Sequence, residues 1–213
     1  MDIKKIRVII VDDHAILRSG IKQILTASGE IEVVGEAENA AQAIKCACEL
    51  PADVMLLDIS LPDKTGIEAL KLIKRENPAL NILMLSMYME DQYAVRSIRS
   101  GASGYLCKHT ASEELLTAIH TLAKGKKYIT PSVAEILAEQ VGTDHSVALH
   151  ETLSDREFQV MRMIASGLSV SEIADKLALS VKTVSMYRTR LLEKKRQKHN
   201  ADITHYAIKN QLV

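Results

Sequence analysis

Along the first 125 residues, short and nearly continuous apolar runs alternate with longer stretches in which apolar residues recur every three to four positions. The runs lie at residues 7–11, 32–35, 54–57, 81–85 and 104–106, and the first of them reads RVIIV. Uninterrupted runs of this length, rich in β-branched residues, predict strands buried on both faces of a parallel sheet. The helical stretches follow them at 15–27, 40–49, 66–75, 92–100 and 113–123. Five strand–helix units in succession predict a doubly wound α/β domain with a five-stranded parallel sheet. The functional groups of such a domain gather beyond the carboxyl ends of its strands.

From Gly125 onward the pattern changes. Residues 131–141 (PSVAEILAEQV) read as one short amphipathic helix, and 142–151 form a polar, acidic stretch without periodicity. No strand pattern follows. Ser154-x-x-Glu157, Ser169-x-x-Glu172 and Ser180-x-x-Thr183 each set a hydroxyl ahead of an apolar periodic run, the first two as full capping boxes. They predict three successive helices, the third over 181–198, and a fourth begins at Asn200-Ala201. The expected organisation is an α/β domain at 1–125, a linker with one short helix at 126–150, and an all-α four-helix domain at 151–213.

Composition sharpens this picture in two ways. No apolar run approaches the roughly 20 residues needed to span a bilayer, and the start of the chain, MDIKKI, has no apolar signal core. A cytoplasmic protein without membrane partners is expected, and three cysteines, an odd number at spacings unlike a disulfide framework, fit a reducing compartment. The zero net charge conceals an asymmetry. Residues 1–128 carry 16 Lys+Arg against 17 Asp+Glu, 129–151 carry none against 4, and 152–213 carry 11 against 6. A basic segment behind an acidic connector implies that the last part meets a polyanion while the first does something else.

The first predicted strand leads into Asp12-Asp13 and the third into Asp58. In a parallel sheet these ends lie side by side, and three converging carboxylates are unfavourable unless a cation or a proton compensates. Hard oxygen ligands with room for water suit magnesium. One of Asp12 and Asp13 can also cap the following helix, but three acids on two strand ends exceed what capping requires. The fourth strand ends in Ser86, a hydroxyl donor, and the fifth leads to Lys108, a point charge for a phosphoryl oxygen. Together these residues can handle a phosphoryl group: Asp58 as nucleophile, Asp12 with Asp13 to hold magnesium, and Ser86 with Lys108 to contact the phosphoryl oxygens. His14 reads as a helix-start residue, since magnesium prefers oxygen. Cys46 and Cys48, two apart on a helix, point to different sides and cannot chelate one metal, so with Cys107 they read as buried packing residues.

The motifs VDDH at 11–14, LLDISLPDKTG at 56–66, MLS at 84–86 and GYLCK at 104–108 resemble the receiver domain of two-component response regulators. The resemblance implies a flavodoxin-like fold with Asp58 as phosphoacceptor. It also implies Asp12, Asp13, Asp58 and the backbone carbonyl of Ser60 as magnesium ligands. Ser86 and Lys108 would assist at the phosphoryl group, and Tyr105 would be the aromatic switch that turns inward when the Ser86 hydroxyl moves. Ser60 and Tyr88 would tune hydrolysis. No catalysis beyond self-phosphorylation and dephosphorylation is implied. A hydrolase working through an aspartyl phosphate could use the same set, but it keeps a second acid two residues after the nucleophile, where this chain has Ser60. Many receivers place Pro after the lysine; His109 stands there instead, so no cis peptide is expected.

The third helix of the C-terminal part holds Lys182, Arg188, Arg190, Lys194, Lys195, Arg196 and Lys198 against one acid, Glu193. The Ala178-Leu179-Ser180 turn before it has the length that sets two helices at an angle in a helix-turn-helix. Residues 152–213 resemble the LuxR-type effector domain of the NarL/FixJ family. The resemblance implies base-facing positions at Ser185, Met186 and Thr189, and phosphate or groove contacts at Lys182, Thr183, Arg188 and Arg190. Lys195 departs from the apolar residue usual there. By the same resemblance the partners are a sensor histidine kinase, double-stranded promoter DNA, RNA polymerase and, in the active state, a second copy of the chain joined through the last helix.

Overall fold

The computed structural model describes residues 5–87, 92–141, 149–195, 199–210 and 212–213. Tyr88, Arg196, Lys198, most of the acidic linker and the side chain of Lys195 lie outside the described residues. The chain divides into two compact units, Met1–Gly142 and Thr143–Val213.

The first unit alternates strand and helix in the expected sequence: β1 (Ile6–Val11), α1 (Ala15–Ala27), β2 (Ile31–Ala37), α2 (Ala40–Glu49), β3 (Val54–Asp58), α3 (Gly66–Glu76), β4 (Asn81–Ser86), α4 (Gln92–Arg99), β5 (Gly104–Cys107) and α5 (Ala111–Ala123). The five strands form one parallel sheet in the order β2-β1-β3-β4-β5. Every residue of β3 and β5 is buried, which is why their sequences lack polar alternation. Edge strand β2 exposes Glu32 and Glu36, so only there does alternation reappear.

Because side chains alternate across a strand, one set of apolar residues faces each helix layer. Val8, Ile10, Leu56, Leu83, Leu85 and Leu106 pack with Ile21 and Leu25 of α1 and Leu115, Ile119 and Leu122 of α5. The intervening Ile9, Met55, Leu57 and Met84 are also fully buried and turn to the layer of α2, α3 and α4. Each such aliphatic side chain contributes about 1.5–3 kcal/mol on burial, so the sheet fixes where its carboxyl ends meet. The free edge of β5 is covered by the chain after α5. The Tyr128 N–H donates to the Ser103 carbonyl at 2.9 Å and the Tyr128 hydroxyl to Glu114 at 2.6 Å. A Cβ on Gly104 would press against the Tyr128 carbonyl, so the close approach needs glycine there. The helix after this strap, α6 (Pro131–Val141), packs on α4.

The cysteine expectation needs correction. Cys107 is buried, but Cys46 is only half-buried and Cys48 is exposed. Helix α2 turns Ala40, Ala43 and Ala47 to the core, and its cysteines flank that stripe instead of sharing it.

The second unit contains a short 3-10 turn (Leu149–Thr152) followed by α7 (Asp155–Ala165), α8 (Val170–Lys176), α9 (Val181–Lys195) and α10 (Asn200–Lys209). Both predicted capping boxes form. Ser154 and Ser169 each accept the backbone N–H three residues on, and Glu157 and Glu172 each reach back to the cap N–H. Ser180 likewise accepts the Thr183 N–H at 3.0 Å and so starts α9. Ala178 takes a left-handed φ of 50° in the turn between α8 and α9. That conformation lets Leu179 N–H reach back to the Ala174 carbonyl, closing the end of α8. Glu157, 4% exposed, also accepts from the Lys194 ammonium at 2.7 Å and ties α7 to α9.

Burial raises the Glu157 pKa, but Lys194 and the Ser154 cap outweigh it, so the carboxyl sits below its usual value of 4.5. A depressed carboxylate contributes stability that is present above the unfolded pKa and is lost as pH falls through the folded one. Glu157→Gln keeps the cap geometry and removes the charge. It should cost about 1 kcal/mol at neutral pH, read as faster amide exchange in α7, and the difference from the parent should shrink below pH 4.5.

Candidate acidic site and basic helix

The sheet order reverses between β1 and β3, the position where ligands collect in doubly wound folds. Asp12 follows the last residue of β1, and Asp58 is the last residue of β3. One oxygen from each of Asp12, Asp13 and Asp58, with one nitrogen of His14, lies within 4.8 Å of the others. Asp12 and Asp58 are buried, whereas Asp13 is one-third exposed and opens the cluster to solvent. Lys108, extending from the end of β5 with its side chain 4% exposed, places its ammonium 2.8 Å from Asp12 Oδ2 and 2.7 Å from Asp58 Oδ2. Beyond that ammonium, neither Oδ2 has a hydrogen-bond donor among the described residues.

The local chain explains how the acids are held. The Ser60 N–H donates to Asp58 Oδ1 at 3.2 Å, and Ser60 bridges to Thr65 so that the LPDKTG loop folds back on the strand end. A Cβ on Gly66 would collide with the Asp58 carbonyl, so only glycine lets α3 start so close to the strand. Asp63, in the same loop, accepts the N–H groups of Ala40 and Ala41 at 2.8 and 3.0 Å and anchors the loop to the start of α2. The His14 N–H donates to Asp12 Oδ1 at 2.9 Å, so Asp12 does take part in starting α1 while remaining in the cluster. Ser86 is buried at the end of β4, and its carbonyl accepts the Lys108 N–H at 2.7 Å. Tyr105 is 1% exposed and lies opposite Met84 in the β4–β5 register. Among the described residues no peptide bond is cis.

Burial pushes the Asp58 carboxyl up to about 6; Asp12 adds to the rise, and the Lys108 ammonium and the Ser60 N–H oppose it. For Lys108, burial disfavours the charge, but the two carboxylates outweigh it and raise its pKa. The site is therefore short of positive charge when Asp12, Asp13 and Asp58 are all ionised, which suits a further cation and then a phosphoryl group.

One residue here escaped sequence reasoning, and another, His14, was read only as a helix-start residue. Arg18 donates to the Asp12 backbone carbonyl at 2.6 Å and to Glu36 at 3.3 Å, bracing the end of β1. Its only sequence signal is a place one turn into α1, next to the acids. The His14 imidazole faces Asp13 at 2.7 Å, although magnesium chemistry gave no reason to look for it. A cleft of about 450 Å³, lined by His14, Ile16, Leu17, Met87, Lys108 and His109, opens beside the cluster.

In the second unit, α9 buries Val184 and Leu191 and exposes Lys182, Ser185, Met186, Thr189, Arg190, Glu193 and Lys194. Ser185, Met186 and Thr189 thus share one solvent face with Lys182 and Arg190. Thr183 is half-buried, its N–H engaged at the helix start, and Arg188 is half-buried with its Nε donating to Asn200 of α10.

Residues 8–120 match the response regulator receiver domain family, and residues 151–207 match the bacterial regulatory proteins of the luxR family. The chain belongs to the two-component response regulators. The response regulator UvrY of Escherichia coli K12 is 37% identical over 97% of this chain and 95% of its own length. GacA of Pseudomonas aeruginosa is 34% identical over 98% of each. Among solved structures, the Salmonella typhimurium RcsB response regulator matches with a TM-score of 0.67 at 30% identity, over 95% of this chain and 96% of that one. An RcsB–DNA complex matches with a TM-score of 0.59 at 32% identity, over 95% and 97%. The NarL/FixJ resemblance read from the motifs is borne out, and the protein is a DNA-binding response regulator, not a classical enzyme. No helix among the described residues is long and apolar enough to cross a membrane.

Because the raised Asp58 pKa belongs to the folded chain, its contribution to stability is present below about 3.8 and is lost as pH rises through about 6. In metal-free protein, carboxyl-carbon NMR should show Asp58 titrating near 6. In Lys108→Met, which removes the opposing cation, the midpoint should move higher still.

Proposed function

We propose that Asp58 accepts a phosphoryl group from a sensor histidine kinase and that its phosphorylation controls dimerisation and promoter binding through residues 151–213. The observation that carries this reading is the Lys108 ammonium set between two buried strand-end carboxylates, Asp12 and Asp58. Asp58 offers the attacking oxygen, and Lys108 and the Ser86 hydroxyl offer donors to the phosphoryl oxygens. The carboxylate oxygens, two of them buried without a hydrogen bond beyond Lys108, fit a magnesium ion held by Asp12, Asp13, Asp58 and the Ser60 carbonyl. When bound, magnesium supplies positive charge that screens the incoming anion. In the output step, the Ser86 hydroxyl moves to the phosphoryl group and favours the inward ring of Tyr105, biasing the receiver toward its active state.

In this reading 1–125 is the receiver, 126–150 the connector and 151–213 the DNA-binding domain, with α9 lying in the major groove. Ser185, Met186 and Thr189 face base edges. Met186, 42% exposed, offers an apolar surface for a thymine methyl. Lys182, Thr183, Arg188 and Arg190 make phosphate or groove contacts, and Arg188 can keep its Nε on Asn200 while its terminal guanidinium nitrogens face the duplex. RNA polymerase is the downstream partner, and the cytoplasm is the site of action.

Incubation of the full chain with acetyl phosphate and magnesium should add one phosphoryl group by intact mass, and Asp58→Ala should add none. Labelling of Asp58→Ala equal to the parent would overturn the assignment.

Arg190→Ala should weaken binding to all duplexes and lower the salt slope by about one. Met186→Ala should leave that slope unchanged and alter base preference at one position per half-site by roughly 1–3 kcal/mol. Selection from a randomised half-site library at two salt concentrations separates the two roles.

A further inference from the structure

We propose that His14 supplies a nitrogen ligand to the cation site, so that this receiver holds manganese(II) through an imidazole as well as through carboxylates. The inference rests on the magnesium-site reading above and adds a ligand and a metal preference to it.

His14 occupies the N-cap of α1, yet its side chain makes no capping hydrogen bond. The ring turns instead to the acids, with Nδ1 2.7 Å from Asp13 Oδ1 and 3.3 Å from Asp12 Oδ1. An octahedral ion with ligands at about 2.1 Å holds adjacent ligand atoms about 3 Å apart, so these separations are those of neighbours around one ion. The backbone that presents the ring is fixed from both sides. The His14 N–H is held by Asp12, and its carbonyl accepts the Arg18 N–H at 3.0 Å. The side chain is 69% exposed, which lets an ion approach and leaves the other ring nitrogen to water.

Manganese(II) shares magnesium's preference for carboxylate and water ligands and stands lowest among the first-row transition ions, but it gains more from an imidazole than magnesium does. The presence of His14 therefore shifts the balance between the two ions without disturbing the oxygen ligands. Without an ion, the same ring can donate a simple hydrogen bond to Asp13, and the two arrangements differ in what they do to metal affinity.

The test uses the full unphosphorylated chain, titrated separately with manganese and magnesium chloride, together with pulsed electron paramagnetic resonance of the manganese-loaded protein. The parent should show coupling from a directly bonded nitrogen nucleus that excess magnesium abolishes. His14→Ala should lose that coupling and bind manganese about tenfold more weakly, with magnesium affinity within about twofold of the parent. His14→Asn, which offers an oxygen, should recover part of the manganese affinity without the nitrogen signal. Manganese binding without nitrogen coupling, or an equal loss for both ions in His14→Ala, would overturn the role of His14 and leave the magnesium site standing. Failure of either ion to bind the parent would overturn both readings.

Discussion

Two carboxylates buried on adjacent strand ends need a cation between them, and in this protein Lys108 is that cation. Removing either acid from water is unfavourable, and the attraction to the ammonium offsets this only because the two distances, 2.8 and 2.7 Å, are short. The arrangement depends on the whole sheet. Asp12 and Asp58 meet because β1 pairs with β3, and Lys108 arrives from β5, two strands beyond β3. Its backbone N–H is held by the Ser86 carbonyl, so the same hydrogen bond positions the cation and the residue that carries the hydroxyl. One lysine does not neutralise three acids, and burial, with a smaller contribution from Asp12, raises the Asp58 pKa by more than Lys108 lowers it.

The surroundings of this centre act as braces. Gly66 allows α3 to begin against the Asp58 carbonyl, Asp63 fastens the intervening loop to α2, and Arg18 grips the carbonyl of Asp12. Each brace acts on backbone, which fixes the direction of a carboxylate more firmly than a side-chain contact would. The buried Tyr105 lies on the strand that leads to Lys108, one strand spacing from β4 and Ser86.

The second unit is organised by local rules to a greater degree. Its helices start at Ser154, Ser169 and Ser180, where a side-chain oxygen satisfies a backbone N–H that would otherwise lack a partner. Glu157 serves two purposes, completing one cap and accepting from Lys194, so helix initiation and the packing of α9 are joined in one buried carboxylate. Helix α9 is then free to turn a face of short polar groups, one methionine and a few cations outward.

The sequence by itself determined the elements and the inventory of the acidic site. Apolar period is a local property, a capping box spans four residues, and the acids lie at the ends of runs whose strand character is unmistakable. The solvent face that Ser185, Met186 and Thr189 share on α9 likewise follows from helix spacing. Tertiary structure decided what spacing cannot encode. The Arg18 grip on Asp12, the His14 ring beside Asp13, the Arg188 bond to Asn200 and the exposure of Cys48 all depend on where a side chain finds its partner. Such pairings arise between residues brought together by packing, and each competes with solvent for the same polar atom. Apolar burial sets the frame within which that competition is resolved, and the frame exists only once distant strands have closed the sheet.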